Sequence, residues 1–139
     1  MNGERLFLDT AFIQALLSRR DQYHAQARAV LPRVRSASEV WVTEAVLIEV
    51  GNALSASNRA DAASFIRQCY QTANMRIVSV DTTLLDEAIG LYEARPDKAW
   101  GLTDCISFVV MRRHGLTDAV TADNHFIQAG YRALLLDGA

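Results

Sequence analysis

Four acids stand in stretches that ought to be apolar: Asp9, Glu49, Asp104 and Asp123. Asp9 ends the run Leu6-Phe7-Leu8, and Asp123 follows Ala119-Val120-Thr121-Ala122. Both read as carboxylates at the carboxyl ends of short buried strands, where open α/β sheets take their ligands. Glu49 interrupts Ala45-Val46-Leu47-Ile48-Val50, and Asp104 opens Cys105-Ile106-Ser107-Phe108-Val109-Val110-Met111. A buried carboxylate is costly unless it is paired with a cation or bound to a metal. Four that converge imply a divalent-metal site, and a metal held by carboxylates implies phosphate chemistry.

Spacing adds polar neighbours to two of them. Glu49 and Asn52 lie three apart in an otherwise apolar stretch, hence on one helical face. Asp104 and Ser107 repeat the arrangement. Each acid also has a structural alternative. Asp9 and Asp123 suit the caps of the segments that follow them, and Asp104 suits the positive end of a helix. Glu49, in mid-helix, has no capping role.

The elements that would carry these residues alternate. Strands are expected at 5–9, 39–42, 76–80, 119–122 and 132–136. Helices are expected from Thr10 to about Arg19, after Asp21 with Pro32 limiting or kinking it, from Thr43 to about Ser57, from Ala60 to Ala73, from Asp81 or Thr82 to about Ala94, from Thr103 to His114, and over Asn124–Ala129. The stretch from Arg95 to Gly101 is the clearest loop. Alternation of this kind implies a three-layer α/β/α sandwich around a central, mainly parallel, five-stranded sheet. With 139 residues, half of them hydrophobic, and no internal repeat, residues 1–139 are expected to form one domain.

Composition narrows the setting. No run approaches the roughly 18 apolar residues of a membrane span, and Met1-Asn2-Gly3-Glu4-Arg5 lacks the pattern of a signal peptide, so a cytoplasmic protein is expected. Cys69 and Cys105 fall on helical patterns without metal-ligand spacing and read as reduced core thiols. The net charge is −2, yet setting the four acids aside leaves the rest of the chain at +2. Of the 14 basic residues only Lys98 is lysine; the arginines suit bidentate phosphate contacts. His125 reads as a packing or phosphate-contact residue rather than a general base. Trp100 reads first as an anchor and second as an RNA-stacking ring. Arg112-Arg113-His114 and Arg19-Arg20 read as helix ends, with RNA contact as the alternative.

The chain resembles the PIN-domain metallonucleases, and in particular the toxin ribonucleases of type II toxin–antitoxin systems. The resemblance rests on Leu6 to Phe12, Thr43 to Leu54, Leu102 to Met111 and Thr121 to Phe126, with the four acids in the family's order. It implies a PIN-like fold and a Mg²⁺- or Mn²⁺-dependent endoribonuclease in which Asp9, Glu49, Asp104 and Asp123 hold the metal. Thr10, Thr121 and Asn124 would support them, beside Asn52 and Ser107. Products would carry 5′-phosphate and 3′-hydroxyl ends. The implied partners are an RNA substrate, a small antitoxin protein and a second copy of the chain. Two rivals remain: a non-catalytic PIN-like module docking RNA or protein, and a phosphoryl-accepting receiver or dehalogenase-like domain. The second expects a lysine after a late strand and, in the dehalogenases, an acid where Ala11 stands.

Overall fold

A computed structural model describes residues 3–137; Met1, Asn2, Gly138 and Ala139, at the margins of the expected domain and leader reading, lie outside the described residues. The strands are β1 (Arg5–Leu8), β2 (Glu39–Thr43), β3 (Met75–Val78), β4 (Asp118–Val120) and β5 (Arg132–Ala133). The helices are α1 (Thr10–Leu17), α2 (His24–Ser36), α3 (Glu44–Ala53), α4 (Arg59–Gln71), α5 (Thr82–Ala94), α6 (Leu102–Arg113) and α7 (Asn124–Gln128). All five strands join one sheet in the order β3-β2-β1-β4-β5, and every pairing is parallel.

The strand order determines the layers. From β1 the chain moves outward to β2 and β3 through α1–α2 and α3–α4. It then crosses back to β4 and β5 through α5–α6 and α7. Because such crossovers are right-handed, reversing direction puts the later helices on the opposite face. Central β1 is therefore covered twice, and Leu6, Phe7 and Leu8 are all buried. This is why the strand reads as a continuous apolar run rather than an alternation. Phe12, Ile13, Val46, Val50, Met111 and Phe126 fill the space between sheet and helices, each contributing roughly 1.5–3 kcal/mol by leaving water.

Several element ends follow expectation for the expected reason. Thr43 caps α3, its Oγ1 accepting from Val46 N at 3.1 Å, and Asp81 caps α5 by accepting from Leu84 N at 2.8 Å. Cys69 and Cys105 are free and buried, and burial pushes the Cys69 thiol up to about 11. Other ends differ. Helix α1 stops at Leu17, so Arg19 and Arg20 lie beyond it in a turn. Asp21 accepts from Tyr23 N at 2.8 Å and shapes that turn instead of capping α2. Pro32 is carried inside α2, which runs on to Ser36. The expected fifth strand pairs only over Arg132–Ala133 before Leu134–Leu136 coil into a 3₁₀ turn. No helix among the described residues is long and apolar enough to cross a membrane.

Candidate metal centre

The order of strands reverses between β1 and β4, and in a parallel sheet the crevice beyond the carboxyl ends at that point is the natural ligand site. Asp9 follows β1 directly, while Thr121 and Asp123 follow β4. Asp9 N donates to Val120 O at 3.4 Å, so the two strand exits are joined through the backbone. Thr121 joins them through side chains. Its hydroxyl donates to Asp9 Oδ2 at 2.8 Å and accepts from Asp123 N at 3.0 Å.

Asp104 arrives from the opposite direction, in the first turn of α6. Its Oδ2 accepts from Gly101 N at 3.1 Å and lies 2.8 Å from His125 Nδ1. An ionised Asp104 can only accept, so Nδ1 carries the hydrogen of this contact. Asp123 Oδ1 caps α7 by accepting from His125 N at 2.9 Å and sits 3.4 Å from His125 Nδ1. Asp104, Asp123 and His125 each offer a ligand atom within 4.8 Å of the others. Asp104 Oδ1 and Asp123 Oδ2 have no hydrogen-bond partner among the described residues.

The electrostatics match that geometry. Asp9 is only 4% exposed. Burial drives its carboxyl up from 3.8 to about 7; the Thr121 bond opposes the rise, and the charges of Asp104 and Asp123 add to it. Asp104 is raised too, by burial first and by Asp123 next, with the His125 bond pulling the other way. No arginine or lysine forms an ion pair with any of the three among the described residues. Thr10 Oγ1, beside Asp9, is buried without a hydrogen-bond partner. Oxygen-rich and anionic, the site could bind a hard divalent metal ion. Asp104 and Asp123 offer carboxylate oxygens to such an ion, and Asp9, tied to the Asp123 backbone through Thr121, flanks them.

Other expected residues fall in different places. Glu49 is exposed, not buried: α3 turns it outward beside Ile48, which is 64% exposed. An apolar sequence around an acid is not proof of desolvation when one of the apolar residues is itself at the surface. Helix α3 nevertheless packs on α1 and touches α6, the helices that flank Asp9 and carry Asp104. Asn52 and Asn124 are exposed as well. Ser107 is buried, but its hydroxyl donates back to Thr103 O at 3.1 Å, satisfying its own helix instead of lining the acids. The paired polar stripes inferred from three-residue spacing therefore do not form one lining.

Sequence reasoning undervalued His125, which ties α7 to α6 through Asp104. Its only sequence signal is its position two residues after Asp123. A parallel tie runs through Trp100, whose Nε1 donates to Gln128 Oε1 at 3.0 Å. Beneath the acids runs a row of rings. Trp100 meets Phe108 edge-on at 5.0 Å, Phe108 meets Phe126 at 4.9 Å, and Phe126 meets Phe7 at 6.2 Å. Each ring lies within four residues of an acid or of His125, so one packed row supports all the site's elements. The anchoring role of Trp100 stands as expected.

A PIN-domain family model matches residues 6–130. The chain belongs to the PIN-domain family. It is similar to the Mycobacterium tuberculosis toxin VapC20, described as cleaving the sarcin-ricin loop, at 25% identity and TM-score 0.82 over 91% of this chain and 95% of that one. FitAcB from Neisseria gonorrhoeae has the same fold at 15% identity and TM-score 0.63, covering 92% and 94%. So does VapBC2 from Rickettsia felis, solved bound to a DNA fragment from their promoter, at 11% identity and TM-score 0.63 over 94% and 96%. No curated protein sequence matches the chain. The PIN fold accounts for the all-parallel sheet and for the acids gathered at its strand-order reversal.

Proposed function

We propose that this PIN-domain protein is a divalent-metal-dependent endoribonuclease, the toxin of a type II toxin–antitoxin pair, acting in the cytoplasm as a homodimer and held in check by a small antitoxin protein. One observation carries the reading: three aspartates converge at the sheet's switch point, and among the described residues no arginine or lysine is paired to them. The likeness to a toxin described as cutting the sarcin-ricin loop supports RNA as the substrate.

The residues divide the work. Asp9 and Asp104 would hold the ion directly; Asp123, partly open to solvent, and the exposed Glu49 would do so directly or through water. A bound Mg²⁺ or Mn²⁺ supplies Lewis-acid activation of water and offsets charge on the phosphate. Thr121 holds Asp9 and the Asp123 backbone in one frame, so the carboxylates need little rearrangement. His125 orients Asp104 through Nδ1 and leaves Nε2 facing away from that bond.

The test is cleavage of a panel of single-stranded and structured RNAs with Mg²⁺, Mn²⁺ or EDTA, using wild type, Asp9→Asn and Asp104→Asn. Metal-dependent cutting, lost in both folded variants, is expected. Cutting that survives EDTA or both substitutions refutes the assignment. A wild type that binds no Mn²⁺ and cuts nothing favours the docking-module reading.

A further inference from the structure

We propose that the turn after α1 and the α3–α4 connection together form a phosphate-binding cleft, in which Arg19 and Arg20 grip the RNA backbone several nucleotides from the cut. This rests on the ribonuclease reading and adds where the substrate strand leaves the site.

The argument begins with what the basic residues already do. Arg5, Arg33, Arg95, Lys98, Arg113 and Arg132 are taken by Glu39, Glu4, Asp97, Asp97, Glu87, and the pair Asp118 and Asp137 respectively. Arg59 and Arg76 donate to the backbone carbonyls of Ser55 and Ala73, just before their own elements. Among those left, Arg19 and Arg20 alone are adjacent in sequence, and both are exposed. A helix-end role does not occupy them. The Leu17 carbonyl accepts from Asn58 Nδ2 at 3.0 Å, and the Ser18 carbonyl accepts from Asp21 N at 3.1 Å.

Those same bonds build the cleft. Asn58 reaches across 41 residues to lock the two connections side by side. Between them is a space of about 490 Å³ lined by Ser18, Arg19, Arg20, Ser57, Asn58 and Asp61. Two guanidiniums against one carboxylate leave it positive, and the serine hydroxyls supply neutral donors. Guanidinium forks match phosphate oxygens bidentately.

Position relates the cleft to the cut. Helix α1 starts at the residue after Asp9 and runs eight residues, about 12 Å, to Leu17. With the turn residues added, Arg19 and Arg20 lie on the order of 15–20 Å from Asp9. At about 3.4 Å per stacked nucleotide this is roughly four to six phosphates away. Helix α3 leads from the site side to the same cleft, with the exposed Glu49 and Asn52 along its length.

The experiment is fluorescence anisotropy of a fluorescein-labelled, mixed-sequence RNA in EDTA, titrated with wild type, Arg19→Ala/Arg20→Ala, Arg19→Lys/Arg20→Lys and the control Arg28→Ala, across a range of salt. Two lost phosphate contacts should lower the slope of log affinity against log salt by roughly 1.4–1.8 in the alanine variant. The lysine variant should keep the wild-type slope, and Arg28→Ala should leave it unchanged. With Mn²⁺, the alanine variant should cleave with raised KM and unaltered kcat. A wild-type slope in the alanine variant of a protein that cuts RNA overturns this cleft alone. A wild type that neither binds nor cuts RNA overturns the reading beneath it.

Discussion

The two edges of the sheet treat acids in opposite ways. Because every strand is parallel, all amino ends share one edge and all carboxyl ends the other. At the amino edge each acid meets an arginine: Glu4 with Arg33, Glu39 with Arg5, and Asp118 with Arg132. There the Arg5 guanidinium, helped by the Trp41 indole, holds Glu39 below the usual carboxylate range. At the carboxyl edge Asp9 and Asp104 meet a hydroxyl, an amide and an imidazole, and both are raised. One edge neutralises charge internally. The other gathers it without a cationic side chain, which costs stability and leaves acids that could take a cation from outside.

The comparison can be broken most sharply by removing one acid from each edge. Asp104→Asn should lower the RNA cleavage rate by about 10³-fold or more, equivalent to several kcal/mol of transition-state stabilisation. Glu39→Gln should leave the rate at the wild-type value, as read in single-turnover assays at saturating RNA. Equal losses at the two edges would mean that the acids share only a structural role.

Acidity gives the next largest effect. Asp9 titrates near 3.8 when unfolded and at about 7 when folded, so between those values the folded state binds the extra proton. Metal-free stability should therefore fall as pH rises from about 4 to about 7, then level off, by about 4 kcal/mol at most from this group. Asp9→Asn should flatten that decline and be more stable than wild type at pH 8 in EDTA, as measured by urea unfolding. A wild-type profile that rises over the same window would place the carboxyl in a polar, paired setting like that of the amino edge.

Smaller effects sharpen how the carboxyl edge is held. Trp100→Phe and Gln128→Leu each remove the second tie between α7 and the start of α6, and each should weaken Mn²⁺ binding about 10-fold in calorimetry. The double variant should be no worse than either, because one bond is lost in all three. At the amino edge, Arg33→Met should cost about 0.5–1 kcal/mol by thermal unfolding, since the Glu4 pair is partly solvated. It should leave Mn²⁺ affinity unaltered. A change in metal binding there would couple the two edges.

Much of this architecture was legible in residue order, for identifiable reasons. Leu6–Leu8 and Ala119–Val120 are apolar without alternation because helices cover both faces of the sheet, and such strands announce themselves. Asp9 and Asp104 were recognisable as acids in apolar company. The same rule wrongly made Glu49 buried, because Ile48 beside it is exposed and an apolar neighbour then says nothing about desolvation. Ser107 bonded to its own helix, an option open to any buried serine. The roles of His125, Trp100 and Gln128 depend on contacts spanning 21 and 28 residues between segments that no local pattern relates. The fifth strand was overextended because Leu134–Leu136 bury as well in a 3₁₀ turn as in a strand.

The hydrogen bond from Thr121 to Asp9 spans 112 residues, and that span also measures time. A ribosome adding about 5–20 residues per second makes Asp9 roughly 6–22 s before it makes Thr121. During that interval the nascent chain gains the elements from α1 to α6, but neither Asp123 nor the complete segment that fixes Asp9. A nuclease arranged in this order would be harmless to the RNA machinery synthesising it until the final segment emerges. Chains arrested before Asp118 should bind no Mn²⁺, and tight binding by such a chain would remove the delay.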